Sequence, residues 1–141
     1  MLARAARAAG LDAVVAALDG WPADDAREFA TFLDRVRGAG VAGSVRTLGL
    51  APRDALDLLA RRGVMADVAH VAHRPDGLNE ERLHDHLRAA WRVVRPGGAL
   101  LVDAYTLTND ASLRGIGRFA AARGLTVHTA GPERVFVLVK P

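Results

Sequence analysis

Apolar positions along the chain recur at helical spacing, then in short unbroken runs, and the two patterns alternate nearly to the end. Residues 2–9 make an Ala-rich helical stretch closed by Gly10, and 13–18 an apolar run of strand length. Past Trp21-Pro22, Asp24 or Asp25 suits the cap of a helix whose stripe is Phe29, Phe32, Leu33 and Val36. Gly38, Gly40 and Gly43 break that helix, and 44–50 predicts a second strand. Pro52 fits the first turn of another helix, with Ala55, Leu56, Leu58 and Leu59 apolar and Gly63 at its end; a third strand is expected at 66–72. Asn79 is a good N-cap, with Glu80 and Glu81 favourable at the positive end of the helix dipole. The helix it opens buries Leu83, Leu87, Ala90, Trp91 and Val94, and Pro96-Gly97-Gly98 stops it before a strand at 99–104. A last helix at 110–123 precedes strands at 125–129 and 134–140, joined by a tight turn at Gly131-Pro132.

Strands that alternate with helices imply an α/β fold with a mainly parallel sheet covered on both faces. The closing hairpin makes the final strand antiparallel to its predecessor, and its run Val135–Val139 is apolar throughout, as an interior strand requires. At 141 residues the chain has the size of one domain, and half its residues are hydrophobic against a quarter charged. It has no cysteine, which excludes disulfides, thiolate catalysis and cysteine–zinc sites. The net charge of +3 does not mark a nucleic-acid face, because the arginines are dispersed among Asp and Glu without a basic block. No run approaches the roughly 20 apolar residues of a membrane span. Asp12 interrupts the apolar N-terminal stretch, so a targeting peptide is not expected and a cytoplasmic location is.

Residues 86–103, HLRAAWRVVRPGGALLVD, resemble the stretch leading through the fifth strand of class I S-adenosylmethionine (SAM)-dependent methyltransferases. A closer resemblance, over about 3–141, is to the small-molecule O-methyltransferases that include the macrocin and cephalosporin-pathway enzymes. It rests on Leu18-Asp19-Gly20-Trp21, on 45–58, on Ala66–Val71, on the Pro-Gly-Gly strand ending in Asp103-Ala104-Tyr105, and on the Val-rich strand closing in Lys140-Pro141. The resemblance implies a Rossmann-like fold with strand order 3-2-(1)-4-5-7-6, in which the family's first strand and glycine-rich loop are missing, since the chain begins at the helix that follows them. That loop lets backbone N–H groups approach the cofactor's charged methionine end at a helix N-terminus. The implied cofactor is SAM, and the implied reaction is in-line methyl transfer to a small-molecule hydroxyl. The family's metal-associated acids are reduced to Asp103, with Ala72 and Ala104 where carboxylates are expected, and one carboxylate is a poor site for a divalent cation.

Asp19, at the end of the first strand, is placed to accept both ribose hydroxyls of a nucleoside cofactor, or else is a turn-forming acid beside Gly20. Trp21 either stacks on an adenine or covers the sheet edge. Asp103 and Tyr105 end a strand on the rim where open α/β sheets bind ligands; they contact metal or substrate, or form a turn. His73, on the same rim, is a candidate general base, with an ordinary surface or core histidine as the alternative. His70 with His73, and His84 with His86, lack chelating spacing on a strand end and a helix. The run from Gly38 to Gly43 matches G-x-G-x-x-G, but it follows a helix and opens a strand, the reverse of a phosphate-binding loop.

Three functional hypotheses follow. The first is a truncated methyltransferase-family protein acting on a small-molecule substrate. The second is a degenerate, non-catalytic member serving as a binding or dimerisation partner. The third, a response-regulator-like nucleotide-binding module, needs a lysine beside an acidic cluster at a strand end, and the chain's lysine is Lys140. A homo-oligomer is open under each; a nucleic-acid or membrane partner is expected under none.

Overall fold

The structure, a computed structural model, describes residues 2–19, 26–72, 80–103, 110–130 and 135–141. It divides into two compact units, Met1–Ala55 and Leu56–Pro141.

The first unit holds α1 (Leu2–Ala8), β1 (Val15–Leu18), α2 (Ala26–Gly38), a single 3-10 turn at Ala42–Ser44, β2 (Val45–Leu48) and the first residues of α3 (Pro52–Arg61). Strands β1 and β2 pair in parallel, Val15 opposite Val45 through Leu18 opposite Leu48. Phe29, Phe32, Leu33 and Val36 do fall on one stripe of α2, but each is only half-buried. The buried hydrophobic residues described in this unit are Ala3, Val41 and Ala55.

The second unit carries β3 (Ala66–Val71), α4 (Glu80–Val93), β4 (Val94–Asp103), α5 (Asp110–Ala121), β5 (His128–Ala130) and β6 (Val135–Val139). Its sheet has the order β3-β4-β6-β5, with β3 parallel to β4, and β6 antiparallel to both β4 and β5. Here lies a real core: Leu83 and Leu87 of α4, Ile116 and Phe119 of α5, and Leu100, Val102 and Leu138 of the sheet are fully buried or nearly so. Strand β4 alternates, with Gly98, Leu100 and Val102 on the core face and their neighbours partly open, the pattern of a strand more deeply covered on one face than the other.

The expected elements are present, with shifted ends. Asp24, Asp25, Asn79 and the turn at Gly131-Pro132 lie outside the described residues. Strand β5 begins at His128 rather than 125, because Leu125 is still engaged in closing α5, its N–H bonding the Ala120 carbonyl at 3.0 Å. The largest difference is at Pro96-Gly97-Gly98, which does not separate helix from strand. Ala66 already pairs with Val94, pairing resumes with Val68 opposite Ala99, and the Arg-Pro-Gly-Gly segment bulges out between them.

Helix α4 therefore runs straight into a strand without the glycine cap that closes its neighbours. Its terminal carbonyls are satisfied from the far end of the chain: the Lys140 ammonium donates to Trp91 O at 2.9 Å and Val94 O at 2.6 Å. The same cation lies 5.6 Å from the Trp91 ring centroid, and the Lys140 backbone clamps the bulge through Gly97 N to Lys140 O, 2.8 Å, and Lys140 N to Gly98 O, 2.9 Å. Replacing Lys140 by Met keeps the stem and the backbone bonds but leaves both carbonyls without their charged donor. A loss of about 2 kcal/mol is expected in urea unfolding, and a variant as stable as the parent would show that water caps α4 equally well.

Candidate functional site

In a parallel sheet the carboxyl ends of the strands lie on one rim, where the last carbonyls and the turn that follows are free to meet a ligand. In the first unit the in-register pairing of β1 with β2 brings Leu18 and Leu48 level, and Asp19 follows Leu18 directly, exposed. In the second unit Val71 pairs with Val102, so Ala72 and Asp103 leave β3 and β4 at the same level. Asp103 is half-buried and stands opposite Val135 of β6, while Ala72 is exposed. Both acids thus stand at strand carboxyl ends, each in its own unit. Gly20, Trp21, His73, Ala104 and Tyr105 fall outside the described residues.

Among the described residues no group of three or more His, Asp or Glu side chains comes together to hold a metal ion. His70 is exposed on β3, His128 on β5, and His84 packs edge-on against Phe119 with ring centroids 6.0 Å apart. The glycine-rich run behaves as a helix ending. Gly40 adopts a φ of +66°, which an L side chain rarely takes, its N–H bonds Arg37 O at 2.9 Å, and Val41 N bonds Val36 O at 3.3 Å. The Arg7 guanidinium donates to the Gly40 carbonyl, tying α1 to this turn. Those backbone groups are consumed locally and do not point at a phosphate.

Sequence periodicity did not disclose a cavity of about 390 Å³ walled by α4 and α5, lined by Glu81, His84, Gly115 and Arg118. Its residues lie three apart on each helix, a spacing that places them on one helical face, but facing helices cannot be paired from spacing alone. No described helix is long and apolar enough to cross a membrane.

The chain has the Rossmann-like methyltransferase fold. Its sheets, β1-β2 and β3-β4-β6-β5, correspond to the two runs 2-3 and 4-5-7-6 of the expected order. It is similar to an O-methyltransferase family protein from Burkholderia thailandensis at 20% identity and a TM-score of 0.64, over 97% of this chain and 46% of that one. The O-methyltransferase TomG from Streptomyces achromogenes, involved in tomaymycin synthesis and solved with SAM, matches at 26% identity and a TM-score of 0.62, over 95% of this chain and 66% of its own. An O-methyltransferase from Bacillus cereus, solved with S-adenosylhomocysteine (SAH), matches at 18% identity and a TM-score of 0.62, over 93% and 66%. The chain thus spans between about half and two thirds of these structures' length. No protein-family model matches the chain, and no curated protein does.

Proposed function

We propose that this chain is a SAM-dependent methyltransferase-type protein that keeps the nucleoside half of the cofactor site and is degenerate in the methionine half. The observation that carries the reading is Asp19, exposed at the carboxyl end of a parallel strand in a fold shared with SAM- and SAH-bound O-methyltransferases. A carboxylate in that position accepts the two ribose hydroxyls. Gly20 and Trp21, which follow Asp19 in sequence, are its proposed companions, the indole as a stacking surface for the adenine. Among the described residues nothing comparable holds the methionine end: the turn from β2 into α3 contains a single glycine, Gly49. In this reading the ancestral acceptor is a small-molecule hydroxyl, with His73, which follows β3 in sequence, as base and Asp103 at the end of β4 as the acid of the site. Under this reading the protein is cytoplasmic, takes a small-molecule partner, and binds neither nucleic acid nor membrane; self-association is compatible with it.

The test is calorimetric titration of the full chain with SAM, SAH and adenosine. Because only the nucleoside is gripped, the three should bind with dissociation constants within about tenfold of one another, in the high micromolar to millimolar range. Asp19→Ala should weaken all three by at least about tenfold, the loss of charge-assisted hydrogen bonds. If none of the three binds, the reading is wrong. If SAM binds a hundredfold more tightly than adenosine, a methionine site is present and the chain is not degenerate.

A further inference from the structure

We infer that the cavity between α4 and α5 is a binding site for a small zwitterion of the α-amino-acid type, its ammonium held by Glu81 and its carboxylate by Arg118. The lining residues Glu81, His84, Gly115 and Arg118 all belong to the second unit, so the site is built within one compact body. Its volume of about 390 Å³ falls in the range of small-ligand sites. Elsewhere the two helices close on one another: Trp91 meets Phe119 edge-on, and Leu83, Leu87 and Ile116 are buried or nearly so. The gap opens where α5 presents Gly115, a buried position without a side chain to fill it. Glycine inside a helix is less favourable than alanine, and what it leaves here is room.

Opposite charges face that room from the two helices. Glu81 on α4 and Arg118 on α5 are both exposed, and among the described residues no ion pair joins them. Helix α4 does pair across helices at another point, Arg92 Nη1 with Asp57 Oδ1 of α3 at 2.8 Å. Phe119, which follows Arg118, packs between His84 and Trp91. Arg118 is therefore level with the turn of α4 beyond His84, and Glu81 lies one turn before it. About 1.5 Å of rise per residue then offsets the two charges by roughly 8 Å along the groove.

Sign and spacing decide the ligand. A simple anion would meet Arg118 and be repelled by Glu81, and a simple cation the reverse. A molecule carrying both charges meets each with its opposite. A charge-assisted hydrogen bond of about 2.8 Å at each end leaves roughly 3 Å between the ligand's own charges. An ammonium and a carboxylate on one carbon have that spacing, whereas the two ends of an ω-amino acid stand too far apart. His84, edge-on to Phe119 at 6.0 Å and 71°, walls the cavity between the two charges. The inference does not depend on the nucleoside site at Asp19, and the measurement below contains no nucleoside.

The recognised atoms are common to all α-amino acids, so L-leucine serves as the probe, titrated into the full ¹⁵N-labelled chain and followed by amide shifts. Saturable shifts centred on Glu81, His84, Gly115 and Arg118 are expected, with a dissociation constant of about 0.1–1 mM. Two analogues of the same shape each lack one charge, 4-methylpentanoate without the ammonium and 3-methylbutylamine without the carboxylate. Each should bind at least about tenfold more weakly, one charge-assisted contact being lost. In Glu81→Gln leucine should lose its advantage over 4-methylpentanoate, and in Arg118→Gln its advantage over 3-methylbutylamine, with the amide spectrum otherwise that of the parent. Absence of saturable shifts at about 20 mM leucine, shifts centred on other elements, or equal binding of leucine and either analogue to the parent overturns the inference. So does leucine binding that both substitutions leave unchanged.

Discussion

Replacing Phe119 by Ala is expected to destabilise the protein by about 4 kcal/mol, the upper range for removing a buried aromatic ring. Phe119 of α5 is wholly buried and receives two rings of α4 edge-on, Trp91 at 5.7 Å and 82° and His84 at 6.0 Å and 71°. Edge-to-face pairs of this kind add about 1 kcal/mol beyond area burial. On its remaining side the Arg123 guanidinium lies 3.9 Å from the ring centroid and donates to the Phe119 carbonyl at 3.2 Å. Desolvation, and after it the positive charge of Arg88, lower the pKa of that guanidinium, yet it stays protonated at every ordinary pH. The deletion thus removes the hub that joins α4 to α5, and a fall of roughly 15 °C in the thermal midpoint follows for a chain of this size. Phe119→Leu refills most of the volume but none of the edge-on geometry, and should lose about half as much. If Leu and Ala prove equally harmful, ring geometry outweighs volume at this position; if Ala costs under 1 kcal/mol, α5 is not held through Phe119.

Which features the sequence discloses follows the range of the physics behind them. Helical spacing is local, so the stripe of α2 and the burial of Leu83, Leu87 and Ala90 on α4 are legible, whereas Trp91 is half-buried and Val94 already belongs to β4. The antiparallel closing hairpin followed from a turn between two apolar runs, and the structure pairs β5 with β6 in that sense. What was not legible depends on distant residues. Pro96-Gly97-Gly98 reads locally as a helix stop, whereas pairing of Val94 with Ala66 draws the segment into the sheet. No local pattern marks Lys140 as a helix cap, and its bonds to Trp91 O and Val94 O span more than forty residues of sequence. Spacing does not fix the depth of burial: the stripe Phe29, Phe32, Leu33 and Val36 is there on α2 but only half-covered.

The site divides along the same line. Asp19 and Asp103 each end an apolar run, the local mark of a strand's carboxyl end, and both stand there. A strand's end is a local property. Whether a ligand is gripped at that end depends on the loops beyond it, where Gly20, Trp21 and His73 stand. The G-x-G-x-x-G match shows the converse risk, because the spacing is right while the preceding element is a helix, and the N–H groups of Gly40 and Val41 are spent on closing it.

Gly98→Ala should be the more informative of the glycine substitutions in the bulge, with an expected loss of about 3 kcal/mol, or roughly 10 °C in thermal midpoint. A methyl group built on Gly98 meets the Asp67 carbonyl oxygen at 2.7 Å, Val94 Cγ1 at 2.8 Å and the Arg95 carbonyl oxygen at 2.9 Å. Two of these are backbone atoms, one on β3 and one within the bulge itself, and neither can move without breaking the ladder. Arg95 Nε also donates to Asp67 Oδ1 at 2.6 Å across the same point, and the Lys140 backbone holds the other side of the segment. Gly97 makes a different demand. Its φ of +73° strains an L residue, but an added methyl meets only Arg95 Nη1 at 3.4 Å, the mobile end of a long side chain. Gly97→Ala should therefore cost about 1 kcal/mol, the ordinary penalty for a left-handed alanine. The two urea midpoints measured side by side test this account: Gly98→Ala must be the worse by a clear margin. The reverse order would mean that backbone conformation, not the close approach of β3, selects the second glycine in this turn.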